Sequence, residues 1–543
     1  MNIFSRLAKG VKSIMDKAGA ETRLGREFKN IFELGGVPAF NQFYYFGIFI
    51  WKYLYKGYYK LWHRIAAPTI ADPSATRDLF RMDLAKAISA ELASLIWSEK
   101  CKVNVSARGF EPTEEQPTDD LGDFVHSVLC DNAFFTKMQE HIEQSMALGG
   151  GALKVWCESR RDAEGNVIPD AEQIKIGYSM ADQFVPTAWD NAKVSEGVFI
   201  SRIAKDAYYY TRLEWHKWNG DTYYITNELY RADKKEDSNN VNKPEDQDIL
   251  GFRYPLAAIY PFLDEQTQIK GIEKSLFSYY RTPMANNIDD NSPLGVSIYA
   301  NALSTLHALD ICYDSLVTEF RLGRKRIIVP ARCVRTVIDP QTGVERRYFD
   351  ARDEVYEALA TDDENALKIQ DNSVALRVEE HVAALNALLS TLCLQIGFSA
   401  STFSFDMASG LKTATEVISE QSKTYKTVRA CQNMIKPAIV DLVENIIAVA
   451  KLYGIRWNGK SIEQLAKDYD VSIVFDDSII EDKQTIRTIA MSEVNSGLMA
   501  KKTYLMTIKG MTPEQADAEL QLINEQGAID GRAVDLVFGG GID

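Results

Sequence analysis

Cysteine pairs are missing from this chain. Its seven cysteines, Cys101, Cys130, Cys157, Cys312, Cys333, Cys393 and Cys431, are widely spaced with no C-x-x-C pair, which excludes a disulfide framework and a zinc site and predicts reduced core thiols. The six histidines include no H-E-x-x-H or H-x-x-x-H pair, so a metal would lack its usual neutral ligands; neither metal nor cofactor is expected. Long apolar runs are absent as well. The most apolar stretch, Phe40 to Tyr55, is framed by Asn41, Gln42 and Lys52 and leaves only about ten uninterrupted residues, short of the ~20 that span a bilayer. Positive charge is in deficit: 61 Lys plus Arg against 76 Asp plus Glu give a net charge of −15, the wrong sign for clamping nucleic-acid phosphates over the whole surface.

What is present is the composition of a folded protein, with 46% apolar and 25% charged residues. A length of 543 residues corresponds to about three to four folding units. At the N-terminus Ile3, Phe4, Leu7, Val11, Ile14 and Ala18 share one helical face, with Arg6, Lys9, Lys12 and Lys17 elsewhere. No apolar signal-peptide core follows, so the chain is expected to stay in the cytoplasm. A basic amphipathic helix can lie on a membrane, but docking onto its own or a neighbouring subunit is the expectation here. Tyr44, Tyr45, Trp51, Tyr53, Tyr55, Tyr58, Tyr59 and Trp62 then form an aromatic packing patch, suited to a core edge or a subunit interface. Together these features define an N-terminal helical and aromatic segment over 1–79.

From Ala75 to Trp97 apolar positions recur at helical spacing, Lys102 to Ser106 alternates like a strand, and an acidic, proline-containing loop covers 111–120. Residues 121–148 read as helices ending at Gly149-Gly150-Gly151, and 152–230 as strands with turns at Asp162 to Gly165 and Asn219-Gly220. The charged, Asn-rich stretch 233–248 reads as a surface loop. Further strands around 249–261 complete a mixed helix and strand region over 80–291.

Two heptad seams follow. Tyr299, Ala302, Leu306, Leu309, Tyr313, Leu316 and Phe320 step by 3 and 4, as do Val378, Val382, Leu385, Leu389, Leu392 and Ile396, the pattern of helices packed nearly parallel on other helices. The first helix, from about Gly295 to Leu322, would be roughly 40 Å long. Between the seams, 324–373 reads as an insert with strands at Arg326 to Val329 and Val334 to Ile338 and their turn at Asp339 to Gly343. Its start is basic, with Arg321, Arg324, Lys325, Arg326, Arg332, Arg335, Arg346 and Arg347 against Asp339 and Glu345, whereas 350–364 is strongly acidic. A solvated surface with local ion pairs accounts for such runs; a docking surface between subunits or for a partner is the sharper reading. Gly397 to Lys412 is rich in Phe, Ser and Gly, and the capping box Thr413-Ala-Thr-Glu416 opens a long helix to about Tyr453 that Pro437 should kink. A strand at Val471 to Phe475, a helix ending near Gly497, a capping box at Thr512 to Gln515 and a Gly-rich end from 539 complete an α+β chain.

Gly454-Ile-Arg-Trp-Asn-Gly459-Lys460-Ser461 matches the P-loop pattern letter for letter, and Val471 to Asp477 looks like the apolar strand that ends in a magnesium-holding aspartate. A working P-loop needs a buried strand feeding it. Here Ile439, Leu442, Val443, Ile446, Val449, Ala450 and Tyr453 place a helix before Gly454, and the bulky Arg456 and Trp457 lie within the loop. A helix C-terminus followed by an Asn-Gly turn is therefore the competing reading.

Pro293 to Leu303, Ala308 to Ser315, Glu319 to Arg326, Ser409 to Glu416 and Phe475 to Asp482, in this order and spacing, resemble the portal proteins of tailed bacteriophages, in the group common among phages of Gram-positive bacteria. The resemblance covers roughly residues 80–500. It implies a dodecameric ring at one capsid vertex, without catalytic residues, through which double-stranded DNA is pumped by a terminase and later ejected. The ring would be assembled in the host cytoplasm and would meet the terminase, a head-completion adaptor, and the major capsid and scaffolding proteins; no membrane is involved. It further implies a portal-type fold: an α/β wing (80–291), stem helices (292–323 and 374–396), a β-containing clip (324–373) that docks partners through Arg324, Lys325, Arg326, Arg332 and Arg335, a tunnel loop (397–412), a long kinked helix (413–453), a helical crown region (454–530) and a flexible tail (531–543).

Within the tunnel loop, Thr402, Phe403, Ser404, Phe405, Asp406, Met407 and Ser409 are expected at the narrowest part of the channel, where small and acidic groups let DNA slide. In a lone subunit Phe398, Phe403, Phe405 and Met407 would instead be core, worth roughly 6 to 12 kcal/mol together. Ser399, Ser401, Thr402, Ser404, Asp406, Ser409 and Gly410 argue for a surface. A P-loop NTPase and an unrelated oligomeric scaffold stand as the alternatives.

Overall fold

The computed structural model describes residues 42–68, 72–110, 118–161, 167–191, 193–233, 250–323, 327–330, 336–338, 345–347, 356–359, 370–371, 375–400, 402–404, 414–476, 490–509, 511 and 515–523. The N-terminal amphipathic pattern, the 162–165 turn, 234–249, the clip residues Arg324, Lys325, Arg326, Arg332 and Arg335, residues 405–409, Thr413 and Thr512, and the tail lie outside them. The chain divides into two units, Met1–Met407 with Lys426–Phe475, and Ala408–Tyr425 with Asp476–Asp543.

In the first unit, helix α1 (Gln42–Tyr55) buries Tyr44, Tyr45, Ile48, Trp51 and Leu54, so the aromatic patch is largely core of the subunit itself. Tyr44 OH donates to Gly295 O at 2.5 Å, and Tyr299 OH donates to Trp51 O at 2.9 Å. Strands β1 (Arg64–Ala66) and β2 (Thr76–Asp78) pair antiparallel, and α2 (Leu84–Ile96) starts only after Asp83, whose φ is 52°. The helical spacing from Ala75 is thus realised late. The reason is local: the N–H groups of Phe80 and Met82 donate to Asp314 Oδ1 (3.1 Å) and Asp310 Oδ1 (3.0 Å), so this segment is held by side chains from a distant helix.

Strand β3 (Lys102–Ala107) leads to α3 (Asp120–Asp131), capped by Asp119 accepting from Gly122 N, and to α4 (Phe134–Leu148). Gly149 ends α4 with a φ of 100°, and a Cβ there would lie 2.5 Å from Gly295 O. This close approach of two glycines seats residues 292–299 against the body.

Strands β4 (Gly150–Arg161), β5 (Val167–Met180), β6 (Phe184–Asp190), β7 (Lys193–Lys205), β8 (Tyr208–Asn219), β9 (Thr222–Asp233), β10 (Phe252–Tyr254), β11 (Gln266–Lys270) and β12 (Phe277–Arg281) build two antiparallel sheets. One has the order β12-β4-β5; the other is the meander β6 to β10, with β11 also pairing β9. Asn219 opposes Thr222 across the predicted Asn-Gly turn, with Gly220 at φ 63°. Ala152 and Phe277 from the first sheet meet Phe184, Val194 and Phe199 from the second in a shared core.

Helix α5 (Leu303–Leu322) begins eight residues later than its seam suggests. The preceding segment is committed elsewhere: Ile298 N donates to Met146 O, Thr282 Oγ1 to Val296 O, and Asn286 Nδ2 to Leu294 O. Twenty helical residues give about 30 Å, not 40. In the insert, β13 (Ile327–Pro330), β14 (Thr336–Ile338), β15 (Glu345–Arg347), β16 (Tyr356–Leu359) and β17 (Gln370–Asp371) form two small sheets. The turn at 339–343 therefore joins β14 to β15, while β13 pairs β16 in parallel and β17 antiparallel; this corrects the expected pairing of the first two strands.

Helix α6 (Val378–Ile396) ends at Gly397, φ 83°, and α7 (Ala414–Leu452) carries Pro437. Strands β18 (Arg456–Trp457) and β19 (Lys460–Ser461) form a hairpin, and β20 (Tyr469–Val474) pairs antiparallel with β3. The described part of the second unit is helical, with the start of α7, residues 490–495, α8 (Lys501–Lys509) and 515–523; Lys502 Nζ meets Asp517 Oδ2 at 2.7 Å. The six described cysteines are free, as expected, but Cys130 is exposed and Cys157 and Cys312 are half-buried, so only three of the six are core thiols.

Candidate functional site

The two seam helices pack on each other, and their burial is graded along the pair. Tyr299, Ala302, Leu306 and Leu309 are buried, Tyr313 and Leu316 are half-buried, and Phe320 is 51% exposed. On α6, Val382 is half-buried while Leu385, Leu389, Leu392 and Ile396 are buried. Both seams are thus deepest at the ends away from the insert. At the insert end, Arg377 grips Glu319 with two bonds, Nε to Oε1 at 3.2 Å and Nη2 to Oε2 at 2.9 Å, and a Cβ on Gly323 would strike Leu376. The hydrogen bonds from Arg377 hold the Glu319 carboxyl below its usual range. Residues 324–374 therefore leave and re-enter the body through one clamped gap.

The face of α5 turned from the seam carries a feature that periodicity did not reveal. Asp310 and Asp314, one helical turn apart and both buried, hold the N-terminal strap of residues 63–82. Arg77 binds Asp314 with two 2.6 Å bonds, and His63 donates from Nε2 to Asp310 Oδ2 at 3.2 Å because its Nδ1 accepts from Tyr59 N. The Arg77 bonds lower the Asp314 carboxyl. The available signal was a pair of carboxylates at i, i+4 within a mostly apolar helix.

The outward face of α6 is uncharged from His381 to Ile396, with Ala383, Ala384, Ala387, Ser390, Thr391 and Leu394 exposed. Beyond it, Gly397 O accepts from Thr427 Oγ1 at 2.6 Å, and Phe398 is fully buried. Phe398 is therefore core, as the single-subunit reading requires. Phe403, half-buried, stacks on it with ring centroids 5.8 Å apart, while Thr402 is half-buried and Ser404 exposed. Phe405, Asp406, Met407 and Ser409 lie outside the described residues, as do the basic clip side chains.

The P-loop match folds as a hairpin. Gly454, φ 64°, ends α7 with its N–H on Lys451 O and that of Ile455 on Ala450 O, the bond pair of a helix C-cap. Asn458 and Gly459 have φ of 49° and 79°, which makes them a two-residue turn between β18 and β19. Lys460 Nζ meets Asp120 Oδ2 at 2.6 Å, and the helix after Ser461 is one turn long. The following strand, β20, lies in a two-stranded antiparallel ribbon with a largely exposed face, unlike the buried strand a phosphate loop requires. Replacing Lys460 with alanine is expected to leave assembly unchanged. ATP binding by the native chain that disappears in this variant is the opposing result.

These elements define an α+β protein whose projecting helix pair carries a β insert. The family model of the phage portal proteins, SPP1 Gp6-like, matches residues 48–530, and the chain belongs to that family. No curated protein matches it. Membership makes it a portal component of a phage virion, in a family that is structural, not enzymatic, and that works as an oligomeric ring associated with the capsid. Among the described residues no helix is long and apolar enough to cross a membrane.

Proposed function

We propose that the chain forms a dodecameric channel at one capsid vertex, through which a separate terminase packages double-stranded DNA and from which the DNA is later ejected. The observation that carries this reading is the graded α5/α6 pair, buried at its root and opening toward a clamped insert. In it, 80–291 is the wing, 292–323 and 374–396 the stem, 324–373 the clip, 397–412 the tunnel loop, 413–453 the long helix and 454–530 the crown region. Assembly takes place in the host cytoplasm with the scaffolding and major capsid proteins.

The uncharged face of α6 suits close packing around a ring or a lining that does not grip DNA, because no ammonium or guanidinium is there to pair with phosphate. The net charge of −15 per chain, repeated around a ring, acts in the same sense. The Glu319–Arg377 clamp fixes where the clip emerges, and the basic run Arg324, Lys325 and Arg326 sits just beyond it. Replacing these three with serine is expected to weaken docking of the terminase or the head-completion adaptor while rings still form. Pull-down and sedimentation of the variant measure both properties. Unchanged affinity for both partners counts against clip docking.

A further inference from the structure

The largest described cavity, about 950 Å³, opens between the two wing sheets and the C-terminal end of α7. Its floor holds Lys154 and Arg212, which share one carboxylate: Glu214 Oε2 pairs with Lys154 Nζ and accepts from Arg212 Nη2 at 2.8 Å. His216 is neutral, since its Nδ1 accepts from Tyr223 OH at 2.7 Å and its Nε2 donates to Glu214 Oε1 at 3.1 Å. Burial lowers its affinity for a second proton. The floor thus carries one positive charge more than it neutralises.

Beside it, Asn227 is 3% exposed; its Nδ2 donates to Asp264 O at 3.0 Å, but its Oδ1 has no partner among the described residues. A buried acceptor without a donor is a recurrent sign of a missing partner. The mouth is different in character. Trp156, Phe262, Leu452 and Tyr453 are 39%, 67%, 43% and 49% exposed, a ring of large apolar side chains of the kind that marks protein contact surfaces. Glu158 and Asp264 also stand at this rim, where they repel a polyphosphate backbone.

We propose that this cleft receives an acidic segment of a partner protein, its carboxylate set between Lys154 and Arg212, its backbone N–H donating to Asn227 Oδ1, and its neighbouring apolar side chains covering the aromatic rim. The carboxylate supplies the charge that the floor lacks, the N–H meets the one orphaned acceptor, and the flanking residues cover the exposed rings. A nucleic-acid strand would satisfy the first requirement and violate the rim. The proposal rests on the wing alone and is independent of the channel reading.

Calorimetric titration of the full chain with a blocked Leu-Glu-Phe peptide and its Leu-Gln-Phe counterpart tests it. The glutamate peptide is expected to bind saturably and the glutamine peptide about tenfold more weakly, the loss of one charge-assisted contact. Asn227→Ala and Phe262→Ser should each weaken the glutamate peptide; Phe262 is exposed, so its variant keeps the test decisive if Asn227→Ala does not fold. No saturable binding, equal binding of the two peptides, or affinity untouched by Phe262→Ser overturns the proposal. Displacement of the peptide by acetate, inorganic phosphate or a short oligonucleotide at the peptide's own concentration also overturns it.

Discussion

Replacing Glu214 with glutamine is expected to destabilise the wing by about 3–5 kcal/mol, the cost of removing one partner from a buried ion cluster. The side chains of Lys154, Arg212 and Glu214 are only 13%, 18% and 13% exposed, so two cations would be left sharing a neutral amide away from bulk water. Burial alone would raise the Glu214 pKa, but Lys154, His216 and Arg212 together hold it well below the usual carboxylate range. The sign follows. A carboxyl depressed on folding contributes stability above its unfolded pKa of about 4.3 and loses that contribution as pH falls through the folded value. Urea unfolding followed by tryptophan fluorescence should show the native chain weakening below about pH 4, with the variant already weak at neutral pH and flatter across that window. A midpoint shared by both proteins at pH 7 would show that the cluster does not stabilise the wing.

Deleting residues 403–407 is expected to leave soluble rings of normal size and to abolish or sharply reduce DNA packaging. The root of this loop is built independently of its tip. Phe398 is fully buried, Gly397 is held by Thr427, and Thr402 N donates to Ser399 O. The deletion removes Phe403, which is half-buried against Phe398, so the direct structural loss is one stacked ring. That pair is worth about 0.5–1.5 kcal/mol beyond its burial. In the proposed ring the deleted residues face the bore. Packaging in an in vitro terminase assay, set beside gel filtration of the variant, separates the outcomes. A variant that unfolds, or one that packages at the native rate, removes the loop from the channel.

The stem was legible in the sequence because burial on a helix is periodic: the residues stepping by 3 and 4 from Tyr299 to Leu309 and from Leu385 to Ile396 are the buried ones. The identity of 454–461 was legible too, since Asn-Gly turns and Gly-ended helices are local chemistry that outranks a letter match. What periodicity could not show was tertiary capture of the backbone. Residues 292–299 continue the heptad spacing, yet their hydrogen bonds go to Met146, Thr282 and Asn286, and residues 79–82 are held by Asp310 and Asp314 from more than two hundred positions away. The Glu214 cluster was hidden for a related reason. Strands β4 and β8 are sixty residues apart in the chain, and only their packing brings Lys154 onto Glu214. Strand pairing in the insert was mistaken because adjacency in sequence favours neighbours, whereas β13 pairs across its own hairpin neighbour to β16 and β17.

The central claim is that these chains close into a ring whose narrowest point is the loop after α6. Electron cryomicroscopy of the purified full-length protein measures this directly. Closed rings with a central hole are predicted, with α5 and α6 arrayed around the axis, the 324–373 insert at one end, and residues 402–409 at the tightest constriction. Particles that remain monomeric or open, or closed rings in which 402–409 lie away from the bore, would contradict it.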